Sequence, residues 1–189
     1  MNSSPSPYRW GLLGLLCVMA LIAYIQRAAI SVPATEIATD LKFAEPTRQM
    51  GQVLSAWYFA YALAQLPSGW IVDRWGMRGP LAGAVVGWSV ATMLAGAAFD
   101  LTSLMVLWAV MGVGQAAAFP CAAKAIRESF PDLERARASG LLASGMMIGG
   151  AVAPVLAAEL LRELALVEEQ WRIDSWRMLF AVFALPGIV

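Results

Sequence analysis

The sequence has no histidine, only two cysteines and few charged residues for a chain of 189. The absence of histidine excludes a histidine-dependent catalytic triad and any metal site built on imidazole. Cys17 and Cys121 both lie inside apolar segments, so they are interpreted as small buried residues and not as a disulfide or metal pair. Basic and acidic residues number 13 each, so no excess charge indicates a nucleic-acid partner. No motif in the sequence indicates a cofactor.

Apolar residues make up 60% of the sequence and give a mean hydropathy of +0.66. An apolar run of about 20 residues can cross the hydrocarbon core of a bilayer as a helix. The sequence therefore predicts an all-α membrane protein with a cytoplasmic N-terminus at 1–9 and a transmembrane bundle at 10–189. The predicted helices cover about 10–32, 51–72, 80–99, 103–123 and 138–160, followed by an incomplete helix at 177–189.

The first and last apolar runs of the sequence each lead to a further prediction. The first apolar run has no convincing cleavage site, so it is interpreted as a retained helix and not as a signal peptide. The last run has about a dozen residues, too few to cross a bilayer. We therefore expect either a fragment or a missing continuation.

The segments between the helices are more polar. The sequence predicts a mixed-charge loop at 36–48, an amphipathic segment along the membrane face at 124–137 and a polar stretch at 159–175. Asp100 is predicted to cap the fourth helix.

One polar segment, from Gly69 to Pro80, separates the second and third apolar runs and predicts a tight hairpin between two membrane helices. Gly76 can supply a backbone turn, and Gly69 is expected to let two helices approach closely. Asp73, Arg74 and Arg78 are expected to pair with one another and with nearby helix ends. A charged loop that caps two helices would explain these charges, but it would not explain their spacing.

The spacing Gly-x3-Asp-Arg-x-Gly-x-Arg resembles the signature loop between helices 2 and 3 of the major facilitator superfamily. The resemblance implies that Gly69, Asp73, Arg74, Gly76 and Arg78 take part in conformational gating. It also implies that the chain is the six-helix N-terminal bundle of a twelve-helix transporter, with helix 6 truncated. A C-terminal six-helix half would then be its partner.

Basic residues predict the orientation in the membrane. One set of helix ends holds seven of them and the opposite set holds five, three of these in the long last loop. The first set comprises Arg9, Arg74, Arg78, Lys124, Arg127, Arg135 and Arg137. Because basic residues favour the cytoplasmic side, the N-terminus is predicted to be cytoplasmic in a multi-pass protein of the plasma (inner) membrane.

Two polar stripes interrupt the first two helices. Tyr24, Arg27 and Ser31 recur at helical spacing on the first helix. Tyr58, Tyr61 and Gln65 repeat the arrangement on the second. A charge in the middle of a membrane helix costs at least about 2.5–3.5 kcal/mol, so Arg27 either reaches to the outer interface or faces a polar cavity. Two facing stripes favour the cavity, where a guanidinium is suited to bind a carboxylate with two hydrogen bonds.

Several segments resemble the anion:cation symporter branch of the same superfamily. They are Tyr24-Ile-Gln-Arg27, Ser55-Ala-Trp-Tyr-Phe-Ala-Tyr61, Gln65-Leu-Pro-Ser-Gly69, Gly87-Trp-Ser89, Gly114-Gln-Ala-Ala-Ala-Phe-Pro120, Glu134-Arg135, Ser175-Trp-Arg-Met-Leu-Phe180 and Leu185-Pro-Gly187. This resemblance implies secondary active transport of small organic anions, such as sugar acids or aromatic carboxylates, coupled to protons or sodium. It assigns substrate binding to Tyr24, Arg27 and Tyr61.

The sequence departs from this branch at three positions. The branch often has an acid immediately before the arginine of helix 1, where this chain has Gln26. Its helix 4 commonly carries an arginine and, seven residues later, a glutamate; here these positions are Trp108 and Gln115. Gln115 is retained as a candidate substrate-binding residue. A glutamine cannot titrate, so the proton coupling that the resemblance allows has no titratable group at these positions.

Other interpretations remain open at this point. The chain could belong to a facilitator or exporter of another small solute, with Arg27 in a structural role. It could also be a truncated half that does not transport. An intramembrane enzyme is disfavoured, because the helices contain neither histidine nor an acid pair. The glycines at 79, 83 and 87 and at 145 and 149 are expected to serve helix packing.

Overall fold

The computed structural model describes residues 8–187, apart from the side chain of residue 169, and this part of the chain is helical with no strands. The helices are α1 (Tyr8–Ala28), α2 (Ala34–Asp40), α3 (Pro46–Trp75), α4 (Arg78–Ala95), α5 (Leu101–Gln115), α6 (Ala118–Ser129), α7 (Asp132–Trp171) and α8 (Ser175–Ala184). Short 3-10 turns at Ala29–Ser31 and Leu185–Gly187 follow α1 and α8. The expected segment 1–9 lies largely outside the described residues.

Three stretches of the described residues are long and apolar enough to cross a membrane. They are Tyr8–Ser31, Leu101–Ser129 and Asp132–Glu168. The second predicted span, α3, is 30 residues long but carries the polar stripe of tyrosines and Gln65, which lowers its hydropathy. The third, α4, has 18 residues and begins at Arg78.

Glycines set the closest helix contacts. A Cβ atom on Gly149 of α7 would lie 2.5 Å from the carbonyl oxygen of Leu21 on α1, and one on Gly145 would lie 3.1 Å from that of Cys17. A Cβ on Gly112 of α5 would lie 2.6 Å from the carbonyl oxygen of Trp57 on α3. These glycines therefore pair α1 with α7 and α3 with α5, as small residues do in membrane bundles.

The glycines of α4 do not show the helix-packing role that the sequence predicts for them. A Cβ on Gly79, Gly83 or Gly87 would meet no atom of the described residues within 4 Å. The predicted packing role is therefore confirmed for the glycines of α7, and the described helices give the α4 glycines no such role.

The region between α1 and α3 is more ordered than the predicted loop. Pro33 precedes α2, which covers Ala34–Asp40. Ile37 and Ala38 are buried in the core of the bundle, so this helix packs along the ends of the longer ones. Two apolar residues in a polar segment are too weak a pattern to predict a helix from the sequence.

The predicted cap at Asp100 is confirmed. Its carboxylate accepts a hydrogen bond from the backbone N–H of Ser103 at 2.7 Å, while the Ser103 hydroxyl accepts one from the N–H of Asp100 at 3.0 Å. Hydrogen bonds from Ser103 also hold the pKa of Asp100 below its ordinary value. This reciprocal arrangement begins α5 at Leu101.

The fourth span differs from its predicted boundaries. A two-residue break divides it into α5 and α6, and α6 runs on to Ser129. The charged segment 124–137 therefore does not form a separate element along the membrane face. It supplies the last turns of α6 and, from Asp132, the first turns of α7.

The fifth span is longer than predicted. α7 has 40 residues, or about 60 Å of helix, twice the roughly 30 Å of a hydrocarbon core. It continues through most of the predicted polar stretch at 159–175 and ends where Arg172 adopts a left-handed conformation with φ of 53°.

Arg177, near the start of α8, connects the helix ends on the side opposite the hairpin. Its guanidinium donates to the carboxylates of Asp40 at 2.6 Å and Asp174 at 2.8 Å. It also donates to the carbonyl oxygens of Gly96 at 2.9 Å and Ala98 at 2.7 Å. These contacts tie α2 and α8 to the end of α4, and no pattern in the sequence predicts them.

Candidate functional site

A cavity of about 320 Å³ lies among α1, α3, α5 and α7. Tyr24, Arg27 and Ser31 line it from the first span, and Tyr58 lines it from α3. The prediction that the polar stripes of the first two spans face each other is therefore confirmed for these four residues. Tyr24 and Arg27 are half-buried, whereas Ser31 and Tyr58 are exposed, so the cavity opens at the surface of the described bundle.

Arg27 is held in this cavity by aromatic rings. Its guanidinium carbon lies 3.8 Å from the centroid of the Tyr24 ring and 4.7 Å from that of Trp57. Within the described part of the chain the guanidinium has neither a hydrogen-bond acceptor nor an ion-pair partner. Rings contact a guanidinium through its flat face, whereas its N–H groups point outward in its plane. Arg27 therefore keeps its donors available to a ligand.

Tyr61, a candidate substrate-binding residue, is placed behind the cavity wall. It is not among the residues that line the cavity. Its ring stacks on that of Trp57, with centroids 4.8 Å apart and an angle of 15° between the planes. Its phenol lies near the side chain of Gln65. Tyr61 thus supports the ring over which Arg27 lies.

Gln115, the fourth candidate, is also outside the lining of the cavity. Its side chain is 4% exposed, and its amide nitrogen donates to the carbonyl oxygen of Ala23 at 3.1 Å. Ala23 lies one helical turn before Arg27. Gln115 therefore holds α5 to the turn of α1 that carries the arginine.

Gln26 has a related contact on the other side of α1. Its amide nitrogen donates to the carbonyl oxygen of Phe183 on α8 at 2.6 Å. The two positions where the resembling branch carries acids are thus occupied here by amides that tie α1 to its neighbours. Neither side chain can change its charge.

The tryptophans of the cavity wall were not predicted as site residues from the sequence. Trp57 and Trp108 both line the cavity and both are almost fully buried. Trp57 stands four residues before Tyr61, on the same face of α3, so the helical period of the polar stripe was the signal available for it. For Trp108, the available signal was that it occupies a position where the resembling branch commonly has an arginine.

The charges of the hairpin pair differently from the prediction. Asp73 lies 3.7 Å from the ammonium group of Lys124 and 3.9 Å from the guanidinium of Arg127, both on α6. Lys124 also donates to the carbonyl oxygens of Val72 at 2.9 Å and Asp73 at 3.2 Å, near the C-terminal end of α3. The expected pairing of Asp73 with Arg74 and Arg78 is wrong, because α6 supplies the cations.

The other residues of the hairpin have separate roles. Gly76 has φ of 79°, so the expected backbone turn is confirmed. A Cβ on Gly69 would meet nothing within 4 Å, so the expected close approach of helices there is wrong for the described residues. Arg74 lies over the ring of Trp70 at 5.8 Å.

A second charge pair joins helices at the same end of the bundle. Arg9 of α1 contacts Glu134 of α7 with a nitrogen–oxygen distance of 3.2 Å, and the arginine is largely buried. Arg135 donates to the carbonyl oxygens of Arg127 at 2.7 Å and Phe130 at 3.1 Å, at the end of α6. The end of the bundle that carries the hairpin is therefore cross-linked through α1, α3, α6 and α7.

Comparisons with known proteins agree with this architecture. A family model described as Major Facilitator Superfamily matches residues 16–189. A probable sulfoacetate transporter of Cupriavidus necator is 37% identical over 177 residues, covering 91% of this chain and 40% of the relative. A D-galactonate transporter of Escherichia coli is 34% identical over 187 residues, covering 99% and 41%. The chain thus spans about two fifths of the length of these relatives.

Solved structures of transporters also match the fold of this chain. A bacterial homologue of the human lysosomal transporter Spinster, in an inward-facing and unoccupied conformation, matches with a TM-score of 0.84 at 25% identity. That match covers 99% of this chain and 42% of the other. The xylose transporter XylE of Escherichia coli, in an inward-open conformation, matches with a TM-score of 0.75 at 14% identity over 96% and 46%.

Proposed function

Because the chain belongs to the Major Facilitator Superfamily, a family of membrane transporters and not of enzymes, we propose that it forms the N-terminal half of a secondary transporter of small organic anions. Sugar acids and other carboxylates are the substrates that this proposal names. They would cross the membrane by alternating access, at a site between this bundle and a C-terminal six-helix half. Transport would be coupled to a cation, either a proton or a sodium ion.

The observation that carries the proposal is the state of Arg27. A buried or half-buried charge is normally paired, because its desolvation is costly. Arg27 instead contacts aromatic rings and keeps its N–H groups free in a cavity. A carboxylate can accept two parallel hydrogen bonds from those groups and neutralise the charge. The names of the two relatives, one for sulfoacetate and one for D-galactonate, point to the same chemistry.

Counterflow in lipid vesicles tests this proposal. Vesicles that contain the purified protein and are loaded with D-galactonate or benzoate should accumulate the same labelled acid from outside. Vesicles loaded with the neutral analogues D-galactose or benzyl alcohol should not exchange them above the level of protein-free vesicles. Exchange of a neutral analogue at the rate of its acid would contradict the proposal.

A facilitator of a neutral solute is the second candidate, and one observation favours it. The rings of Tyr24 and Trp57 give Arg27 two cation–π contacts, each of which stabilises a cation by about 0.5–2 kcal/mol. If these contacts are the purpose of the arrangement, Arg27 is structural and the solute has no charge. The counterflow experiment separates the two candidates.

We expect the Asp73→Asn substitution to slow uptake several-fold without loss of membrane insertion. The substitution removes the charge that faces Lys124 and Arg127 at the hairpin between α3 and α4, while Lys124 keeps its bonds to the backbone carbonyls. Initial uptake rates in vesicles at equal protein measure the effect. Glu159→Gln, which removes a carboxylate from an exposed pair within α7, is the matched control. An uptake rate in Asp73→Asn equal to that of the parent would rule out a gating role.

We propose that the protein spans the plasma (inner) membrane with the hairpin and the N-terminus on the cytoplasmic side. Asp132 and Glu168 lie near opposite ends of α7, about 54 Å apart along the helix. In a background with Cys17 and Cys121 replaced by serine, a cysteine at Asp132 should resist a membrane-impermeant maleimide in intact cells. A cysteine at Glu168 should react, and both should react after permeabilisation. The reverse pattern would place the hairpin outside.

A further inference from the structure

We propose that Trp57 is a positioning residue, which holds the guanidinium of Arg27 in the orientation that an anionic ligand needs before the ligand binds. This inference rests on the proposed function, since it assumes that Arg27 binds the anionic group. Trp57 is 1% exposed, so it acts on a ligand through Arg27 and not through a contact of its own. The contacts that support this role all lie within the described parts of α1, α3 and α5.

The direct contact between the two side chains is the first reason. The guanidinium carbon of Arg27 lies 4.7 Å from the centroid of the Trp57 ring. Tyr24 lies closer, at 3.8 Å, but it belongs to the same helix as Arg27 and moves with it. Trp57 belongs to α3 and therefore fixes the guanidinium relative to a second helix.

The support of the Trp57 ring is the second reason. The ring stacks on that of Tyr61 at 4.8 Å, and the ring of Tyr58 stands edge-on to it at 5.0 Å. The backbone is held as well, because a Cβ atom on Gly112 of α5 would lie 2.6 Å from the carbonyl oxygen of Trp57. A buried ring with these neighbours has little freedom to move, as is usual in a close-packed interior.

The unpaired state of Arg27 is the third reason. Within the described residues its guanidinium has neither a hydrogen-bond acceptor nor an ion-pair partner, so its orientation depends on the two rings. An arginine side chain has many rotamers, and fixing one of them on binding lowers affinity. A ring that orders the guanidinium in advance reduces this cost.

The affinities of an acid and of its carboxamide test the inference, because only the acid uses the charge of Arg27. The purified protein is titrated with D-galactonate and D-galactonamide and with benzoate and benzamide. In Trp57→Leu we expect the acid to bind about three- to tenfold more weakly than in the parent, whereas the carboxamide should change by less than about twofold. Trp57→Phe keeps a ring against the guanidinium, so the acid should bind within about twofold of the parent.

Trp176→Leu is the matched control. Trp176 is also 1% exposed, and its ring lies 4.3 Å from the guanidinium carbon of Arg177, outside the cavity. The preference of this variant for the acid should equal that of the parent. In Arg27→Gln there is no guanidinium to position, so the further substitution Trp57→Leu should not change the ratio of the two affinities.

The outcomes separate the positioning role from the proposed function. Circular dichroism checks folding, and if Trp57→Leu does not fold, Trp57→Met decides, since methionine fills irregular space without a ring. A preference for the acid in the ring-free variant as large as in the parent, or an equal loss for acid and carboxamide, would overturn the positioning role and leave the proposed function standing. Equal affinities for acid and carboxamide in the parent, or binding of neither acid, would overturn both.

Discussion

Replacement of Arg27 by glutamine is expected to weaken organic-anion binding by roughly a hundredfold or more. The expected size follows from the loss of two charge-assisted hydrogen bonds, each of about 1.5–3 kcal/mol. Arg27→Lys keeps the charge but loses the planar two-pronged contact, so it should weaken binding by about 1.5–3 kcal/mol. Equilibrium binding of the same acid to the parent and both variants measures these differences.

Arg48→Gln is a matched control, because Arg48 is exposed and pairs with Glu45 at 3.1 Å outside the cavity. Its affinity should equal that of the parent. The amount of the Arg27→Gln variant in the membrane should equal or exceed that of the parent, because a charged side chain no longer has to be inserted with the first span. Unchanged anion affinity in Arg27→Gln would contradict the role of Arg27 as the carboxylate anchor. It would favour the alternative in which Arg27 reaches to the membrane interface.

Gln115→Glu is expected to create a pH dependence of anion binding that the parent lacks. The amide of Gln115 donates to the carbonyl of Ala23 at any pH, whereas a glutamic acid donates only when protonated. Once ionised, the introduced carboxylate would lose this bond and place a negative charge near Arg27. The variant should therefore bind anions more weakly as the pH rises, by about tenfold between pH 5.5 and 7.5.

The parent should show little change over the same interval, because a typical carboxylate substrate remains ionised throughout and neither Gln26 nor Gln115 titrates. Gln115→Met, which has neither a donor nor a charge, should weaken binding equally at all pH values. Titration calorimetry of one acid at several pH values provides the comparison. A flat profile in Gln115→Glu would contradict the positioning role, and a steep profile in the parent would assign the coupling carboxylate to another part of the protein.

The sequence predicted the features that depend on periodicity and on short-range chemistry. Tyr24, Arg27 and Ser31 recur at the helical period, so they had to share a face, and in the bundle this face meets Tyr58 of α3. The cap at Asp100 and the turn at Gly76 are local and were predicted for the same reason. The all-helical membrane fold followed from the length and number of the apolar runs.

Features that depend on which helices become neighbours could not be predicted in this way. The same amide of Gln115 could have faced a cavity or a backbone carbonyl, and its direction depends on how α5 packs on α1. The partners of Asp73 lie about 50 residues away on α6, so the nearer arginines were the wrong choice. The break after Gln115 and the extension of α7 to Trp171 leave no clear mark in the pattern of apolar residues.

The most direct test of the central claim compares a carboxylic acid that the protein binds with its own carboxamide, in the parent and in Arg27→Gln. The two ligands have nearly the same shape, so their difference in affinity reports the charge-dependent contact alone. If Arg27 anchors the carboxylate, the parent should prefer the acid by roughly a hundredfold, and this preference should disappear in Arg27→Gln. A preference of the same size in both proteins would contradict the account.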